Sequence, residues 1–194
     1  AKVLKLSALF LKPRMGSCYI YGQKRVGKTS LAKAVMSNVA SHGAGNLSAL
    51  YLEYGDYANP DPVKTVCTLG TRIERFLLKG SDTPLHQMSD FAGSLSILSD
   101  VADDLIARAP DRKFVIVLDE FDEIHPDLYR LGSLADTFFQ NLRSLSTKKN
   151  LAFMLVGGEN MPYIISAQGD QLNKFVAERL DYFSGLDDWS DYIE

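Results

Sequence analysis

The stretch from Cys18 to Ser30, reading CYIYGQKRVGKTS, restricts what this chain can fold into more than any other. Gly22, Gln23, Lys24, Arg25, Val26, Gly27, Lys28 and Thr29 fit the pattern G-x-x-x-x-G-K-[ST] at every specified position. Each specified residue type has a physical reason. Gly22 and Gly27 permit backbone torsions that a side chain forbids, so successive N–H groups can turn inward around an anion. Lys28 supplies a cation to the outer phosphates of a nucleotide, and the Thr29 hydroxyl supplies a ligand to Mg2+. Cys18, Tyr19, Ile20 and Tyr21 have the apolar, aromatic and β-branched character of a buried strand. Beyond Thr29, the residues Leu31, Ala34, Val35 and Val39 recur at helical spacing, with Ser30 in the first turn. A helix starting there aims its positive end at the same phosphates. Strand, loop and helix in this order exclude an incidental glycine turn and make residues 22–30 a nucleotide-binding loop.

The 194 residues suffice for one domain with a sizeable core. A net charge of −3 gives no general nucleic-acid footprint, although a local basic patch is compatible with it. No apolar run reaches the ~20 residues that span a bilayer. The first eleven residues have two lysines among apolar neighbours and no small-residue cleavage site, so they do not read as a signal peptide. Cys18 and Cys67 fit buried thiols of a reducing compartment, and the chain is expected to be cytoplasmic.

In chain order, residues 1–12 form a helix or a strand, which the pattern leaves open. The phosphate-loop helix stops before His42, at the turn-rich run from His42 to Asn46, and a second strand covers Ala49 to Tyr54. Asp61 is placed to cap a helix with Pro62 in its first turn and Val63, Val66, Cys67, Ile73 and Leu77 on one face, ending at Gly80. After a polar loop to Ser89, either Ser89 or Asp90 caps another helix, with Leu95, Leu98, Val101, Ala102, Leu105 and Ile106 as its apolar stripe. Phe114 to Leu118 and Leu151 to Val156 are continuous apolar runs of the kind buried on both faces of a parallel sheet. Between them a helix spans Leu131 to Leu145. A helical segment is expected over Gln171 to Arg179, then a short fifth strand over Leu180 to Phe183. Alternating strands and amphipathic helices imply an α/β fold, a mostly parallel sheet covered on both faces, with ligands outside the carboxyl ends of its strands.

The third strand ends in Leu118, Asp119 and Glu120, 91 positions after Lys28. An acid directly after an apolar strand suits Mg2+ held through its water shell, which assigns Asp119 to the metal together with Thr29. Glu120, one residue on, is placed to orient or deprotonate an attacking water. Asp122 and Glu123 read as a solvated acidic turn.

The loop from Tyr21 to Leu31, paired with Val117 to Asp122, resembles the STAND and archaeal-ATPase-like P-loop families, relatives of the AAA+ and Cdc6/Orc ATPases that carry a catalytic glutamate. The resemblance implies a P-loop NTPase of three α/β/α layers, with five strands in the order 5-1-4-3-2. It also implies ATP over GTP, Mg2+, and a helical lid after the core. Asn173, Lys174, Phe175 and Val176 lack the aspartate of a guanine motif. Residues 1–184 correspond to the ATPase core, and 185–194 to the start of a lid or linker cut short.

By the same resemblance, Asn160 after the fourth strand is the sensor candidate, against an ordinary loop asparagine. Arg179 is the candidate arginine finger acting on a neighbouring subunit, against a surface arginine at a helix end. The activity implied is Mg2+-dependent ATP hydrolysis, weak in an isolated core, that drives a conformational or assembly switch. A non-hydrolysing nucleotide-binding module and a nucleic-acid-loading ATPase are the alternatives. Protein partners or self-association are expected. A small-molecule kinase would need an acceptor pocket and lid arginines that the sequence does not display.

Overall fold

Two apolar runs build the centre of the sheet. The computed structural model describes residues 1–43, 45–79, 89–169 and 171–182. Within them lie strands β1 (Cys18–Gly22), β2 (Leu47–Glu53), β3 (Lys113–Asp119), β4 (Leu151–Gly157) and β5 (Val176–Leu180). Every residue of β4, and every residue of β3 after Lys113, is buried, as strands covered on both faces require. The sheet order is β2-β3-β4-β1-β5, and every pairing is parallel. This is the three-layer P-loop architecture that the motifs imply.

The alternation along β3 sorts the two helical layers. Val115 and Val117 pack with Ala152, Met154 and Val156 against α1 (Lys2–Leu11) and α2 (Lys28–His42). Ile116 and Leu118 face the opposite core with Phe153 and Leu155. That second face is covered by α3 (Pro62–Leu77), α4 (Ile97–Arg108), α5 (Ser133–Ser146) and α6 (Met161–Ser166). Residues 2–11, left open by the sequence, are helical because Leu6 and Phe10, one turn apart, bury completely. Cys18 and Cys67 are free thiols, and burial followed by the charge of Glu178 pushes Cys18 up to about 12. No described helix is long and apolar enough to cross a membrane.

Several sequence expectations are corrected. Asp61 does cap α3, its Oδ1 accepting from the Val63 N–H at 2.9 Å, but Val63 itself is 40% exposed rather than on the core face. The helix ends at Leu77, and residues 80–88, which hold the polar loop, lie outside the described residues. Neither Ser89 nor Asp90 starts α4. The Ser89 hydroxyl and N–H both donate to the buried Glu74 carboxylate, at 2.6 and 3.1 Å, and Asp90 accepts from the Ala92 N–H. Ala92 and Gly93 then adopt left-handed torsions that no helix admits, so α4 begins only at Ile97. Leu131 is 94% exposed, and α5 starts after Gly132.

The largest correction concerns residues 171–180. Gln171 to Phe175 form turns rather than a helix, and the fifth strand is Val176–Leu180, not Leu180 to Phe183. Ala177, Glu178 and Arg179 favour helix locally, but the free edge of β1 takes them as a strand. The inward Glu178, 7% exposed, is held by Lys5 at 2.6 Å and Lys2 at 3.1 Å, both from α1. Burial by itself would raise its pKa; the hydrogen bonds and charges of the two lysines outweigh burial and hold the carboxyl below its ordinary value. Helix α6, which the sequence did not suggest, follows β4 with Pro162 in its first turn.

Gly70 marks the closest approach of α3 to its cover. A Cβ there would stand 2.5–2.7 Å from the Phe91 ring. Alanine gains helix propensity of ~1 kcal/mol but displaces a ring that is 3% exposed. We expect Gly70→Ala to lower stability by about 1–3 kcal/mol, as overpacking does, read as a shift in the urea midpoint without a change in m-value.

Candidate nucleotide site

The strand order brings the two motifs together. β4 separates β1 from β3, so the chain leaving β1 and the chain leaving β3 flank one crevice at the carboxyl edge. The loop after β1 is built from left-handed residues: φ is +153° at Gly22, +66° at Arg25 and +88° at Gly27. Gly27 is the N-cap residue of α2 and caps it without a side chain. Its N–H and those of Lys28, Thr29 and Ser30 meet no acceptor among the described residues. Four open donors at a helix start form an anion cradle. The Lys28 ammonium folds over the loop and donates to the carbonyls of Gly22 at 3.0 Å and Gln23 at 2.5 Å.

Across the crevice, Asp119 ends β3 and is 4% exposed. Its Oδ2 accepts from Thr29 Oγ1 at 2.8 Å and from the Tyr51 hydroxyl, while Oδ1 accepts from the Glu120 N–H at 2.9 Å. Thr29 and Asp119 are thus joined directly, so the phosphate loop and the end of β3 meet at one point. Among the described residues no three His, Cys, Asp or Glu side chains converge in a way that could hold a metal. A cation held at Thr29 and Asp119 therefore needs further oxygens, and Mg2+ bound through one or two protein groups plus substrate phosphates meets that condition.

Glu120 follows in the left-handed region at φ 56°, at the sharp turn out of β3, with its side chain exposed. Partial burial, then the charges of Asp119, Glu53, Glu123 and Asp122, raise its pKa above the ordinary carboxylate value. A carboxylate crowded by like charges holds its proton more firmly, which suits a base.

The remaining residues are less converged. Asn160 lies exposed at the start of α6, beyond β4 and hence between the two motif strands. Arg179 lies within β5 rather than at a helix end, exposed, with Nε 3.0 Å from Asp181 Oδ1. Gln23, Lys24 and Arg25 are exposed along the loop, and Val26 is half-buried.

Sequence reasoning missed three residues. Tyr51, on β2, reaches Asp119 because the parallel register sets Glu53 opposite Asp119. Asp122 is not a freely solvated turn residue: its carboxylate stands 2.5–2.6 Å from where side chains on Gly157 and Gly158 would begin. These two glycines let the acidic turn close on the end of β4. Tyr182 donates its hydroxyl to the Lys24 carbonyl at 3.2 Å, so the chain after β5 touches the loop. None of the three had a local signal, since each depends on strand neighbours far away in sequence.

No curated protein matches the chain significantly by sequence. Among solved structures it is similar to the Aeropyrum pernix ORC2 protein in its ADPNP–ADP complexes, with a TM-score of 0.63 at 17% identity over 92% of this chain and 46% of that one. It is also similar to a chain of Drosophila ORC bound to AT-rich DNA and Cdc6, with a TM-score of 0.56 at 11% identity, covering 92% and 52%. The Walker-type ATPase PABY2304 of Pyrococcus abyssi gives 0.52 at 18% identity, covering 94% and 53%. The chain thus spans about half the length of these neighbours, and at such identities they show the fold. The family described as "AAA domain" matches residues 13–164, from the approach to β1 through β4 and into α6. With the phosphate loop, the acidic strand end and the sheet order all within that span or beside it, the chain belongs to the AAA domain family of P-loop proteins.

Proposed function

We propose that this domain binds ATP with Mg2+, hydrolyses it, and uses the cycle to switch conformation or assembly. The observation that carries the reading is the 2.8 Å hydrogen bond from Thr29 to Asp119, which ties the phosphate loop to the end of β3. The hydroxyl can keep donating to Asp119 while its lone pair faces a cation. Mg2+, when bound, screens phosphate charge and holds the outer phosphate oxygens. The open N–H groups of residues 27–30 bind phosphate, and Lys28 exchanges its two loop carbonyls for phosphate oxygens. Glu120 accepts the proton of the attacking water, with Asn160 as the group that orients it. The choice of adenine rests on the family resemblance.

The contact of Tyr182 with Lys24 supports a switch, because a loop that moves around nucleotide moves the carbonyl this tyrosine holds. Self-association or a protein partner would read that change. Arg179, on the exposed edge strand, serves a neighbouring chain only by leaving Asp181.

The test is Mg·ATP binding by calorimetry, with Lys28→Ala as the diagnostic variant. Removing a charge-assisted contact to the outer phosphates should weaken binding by about 30- to 100-fold while circular dichroism stays native. Unchanged affinity in a folded variant overturns the site.

A further inference from the structure

Asp119 is already well supplied with donors. A carboxylate offers roughly four lone-pair positions, two per oxygen. Here Thr29 Oγ1 and the Tyr51 hydroxyl both donate to Oδ2, and the Glu120 N–H donates to Oδ1. Among the described residues these are the donors, so a single position, on Oδ1, is left for the water shell of a cation. Thr29 belongs to the cation site in any case, and the Glu120 N–H is fixed by the chain. Tyr51 is therefore the one donor whose place at Asp119 the phosphate and metal chemistry does not need.

The ring cannot simply swing away. Tyr51 sits opposite Val117 in the β2–β3 register and packs against the core that lies under α2. The Lys33 ammonium lies 5.3 Å above the ring centroid, a cation–π contact that clamps its outer side. A phenol is protonated at neutral pH, so Tyr51 is the donor in its contact with Asp119.

Resting on the nucleotide-site reading above, we infer that Tyr51 is a positioning residue that competes with the hydrated divalent cation for Asp119 Oδ2, and so sets how much Mg2+ the domain needs to hold ATP. The consequence is opposite in sign to that of an ordinary supporting residue. A residue that only orients Asp119 strengthens cation binding, and its loss raises the Mg2+ requirement. A competitor weakens cation binding, and its loss lowers that requirement.

Tyr51→Phe isolates the effect, since it keeps the ring, the strand packing and the Lys33 contact and deletes only the hydroxyl. A fluorescent ATP analogue is titrated at fixed concentration with MgCl2, and again in EDTA. The half-saturating Mg2+ concentration should fall by about three- to tenfold, the scale of one hydrogen bond, with affinity in EDTA unchanged. Mn2+ in place of Mg2+, followed by its paramagnetic resonance signal, reads the same shift directly on the cation. A midpoint that stays in place or rises in the variant, while wild type responds to Mg2+, overturns the role of Tyr51 and leaves the site standing. Wild type binding the analogue with no response to either cation overturns the metal site and the inference together.

Discussion

Replacing Glu120 with glutamine should lower ATP turnover by about 10²–10⁴-fold, the range associated with a positioned general base, while Mg·ATP binding persists. Glutamine keeps the length of the side chain and an oxygen that can orient water, but cannot take up a proton. The binding groups lie elsewhere: the open N–H groups of α2, Lys28, Thr29 and Asp119. Nor should the backbone object, since Glu120 is already left-handed at φ 56° and glutamine adds no branching at Cβ. The electrostatics give an independent readout. Glu120 has a raised pKa, from partial burial first and like-charge crowding second, so its ionisation opposes folding above that value and the opposition is relieved as pH falls through it. The neutral variant removes this opposition, and its thermal midpoint at neutral pH should be unchanged or slightly higher. Wild-type turnover should rise with pH through the raised pKa of Glu120, because the base must be unprotonated, and the residual rate of the variant should lose that limb. Measurable wild-type hydrolysis matched by Glu120→Gln would falsify the assignment.

How much of this was legible beforehand follows from where each signal resides. The phosphate loop and the Asp119–Glu120 strand end are local patterns, because torsions and charges at neighbouring positions must suit one ligand; residues 22–30 and 119–120 needed no tertiary information. The strand order came from the motif resemblance, and the register agrees with it. Position 178 shows the limit. A strand is legible nearby, but displaced to Leu180–Phe183; nothing local marks Glu178 itself as a strand residue, because the lysines that permit its burial are Lys2 and Lys5, on the first helix. Helix α4 starts late for a similar reason: Ser89, a good cap by type, is already engaged by Glu74, and Asn141 on α5 holds the Leu95 N–H at 2.8 Å. Tyr51 earns no functional role from the sequence alone; only the pairing of β2 with β3 carries it to Asp119. Helix α6 did leave a trace, Pro162 just after Asn160, but six residues are too few for helical periodicity to show.

Gly22→Ala should be the most damaging single substitution in the loop, and its contrast with Gly27→Ala separates two jobs that glycine does there. Gly22 closes β1 at φ +153°, and a Cβ on it would stand 2.0 Å from the carbonyl oxygen of Leu180 and 3.0 Å from its carbon. Both obstacles are backbone, so no rotamer change relieves them. The only escape is for β5 to move off β1, which breaks the pairing of Gly22 with Leu180 and disturbs Glu178 and the α1 lysines that hold it. Tyr182, two residues beyond Leu180, would lose the Lys24 carbonyl in the same movement. Torsional strain and steric overlap together should cost about 3–5 kcal/mol, a large share of the stability of a domain this size. Gly27 also has a left-handed φ of +88°, yet no atom of the described residues lies within 4 Å of its ideal Cβ position. Alanine there meets torsional strain alone, about 1–2 kcal/mol, and the fold should survive. Both variants should lose nucleotide affinity, since both deform the cradle, but only Gly22→Ala should collapse the unfolding midpoint in urea. Equal stability losses in the two would mean that the edge strand β5 does not depend on a bare backbone at the start of the phosphate loop.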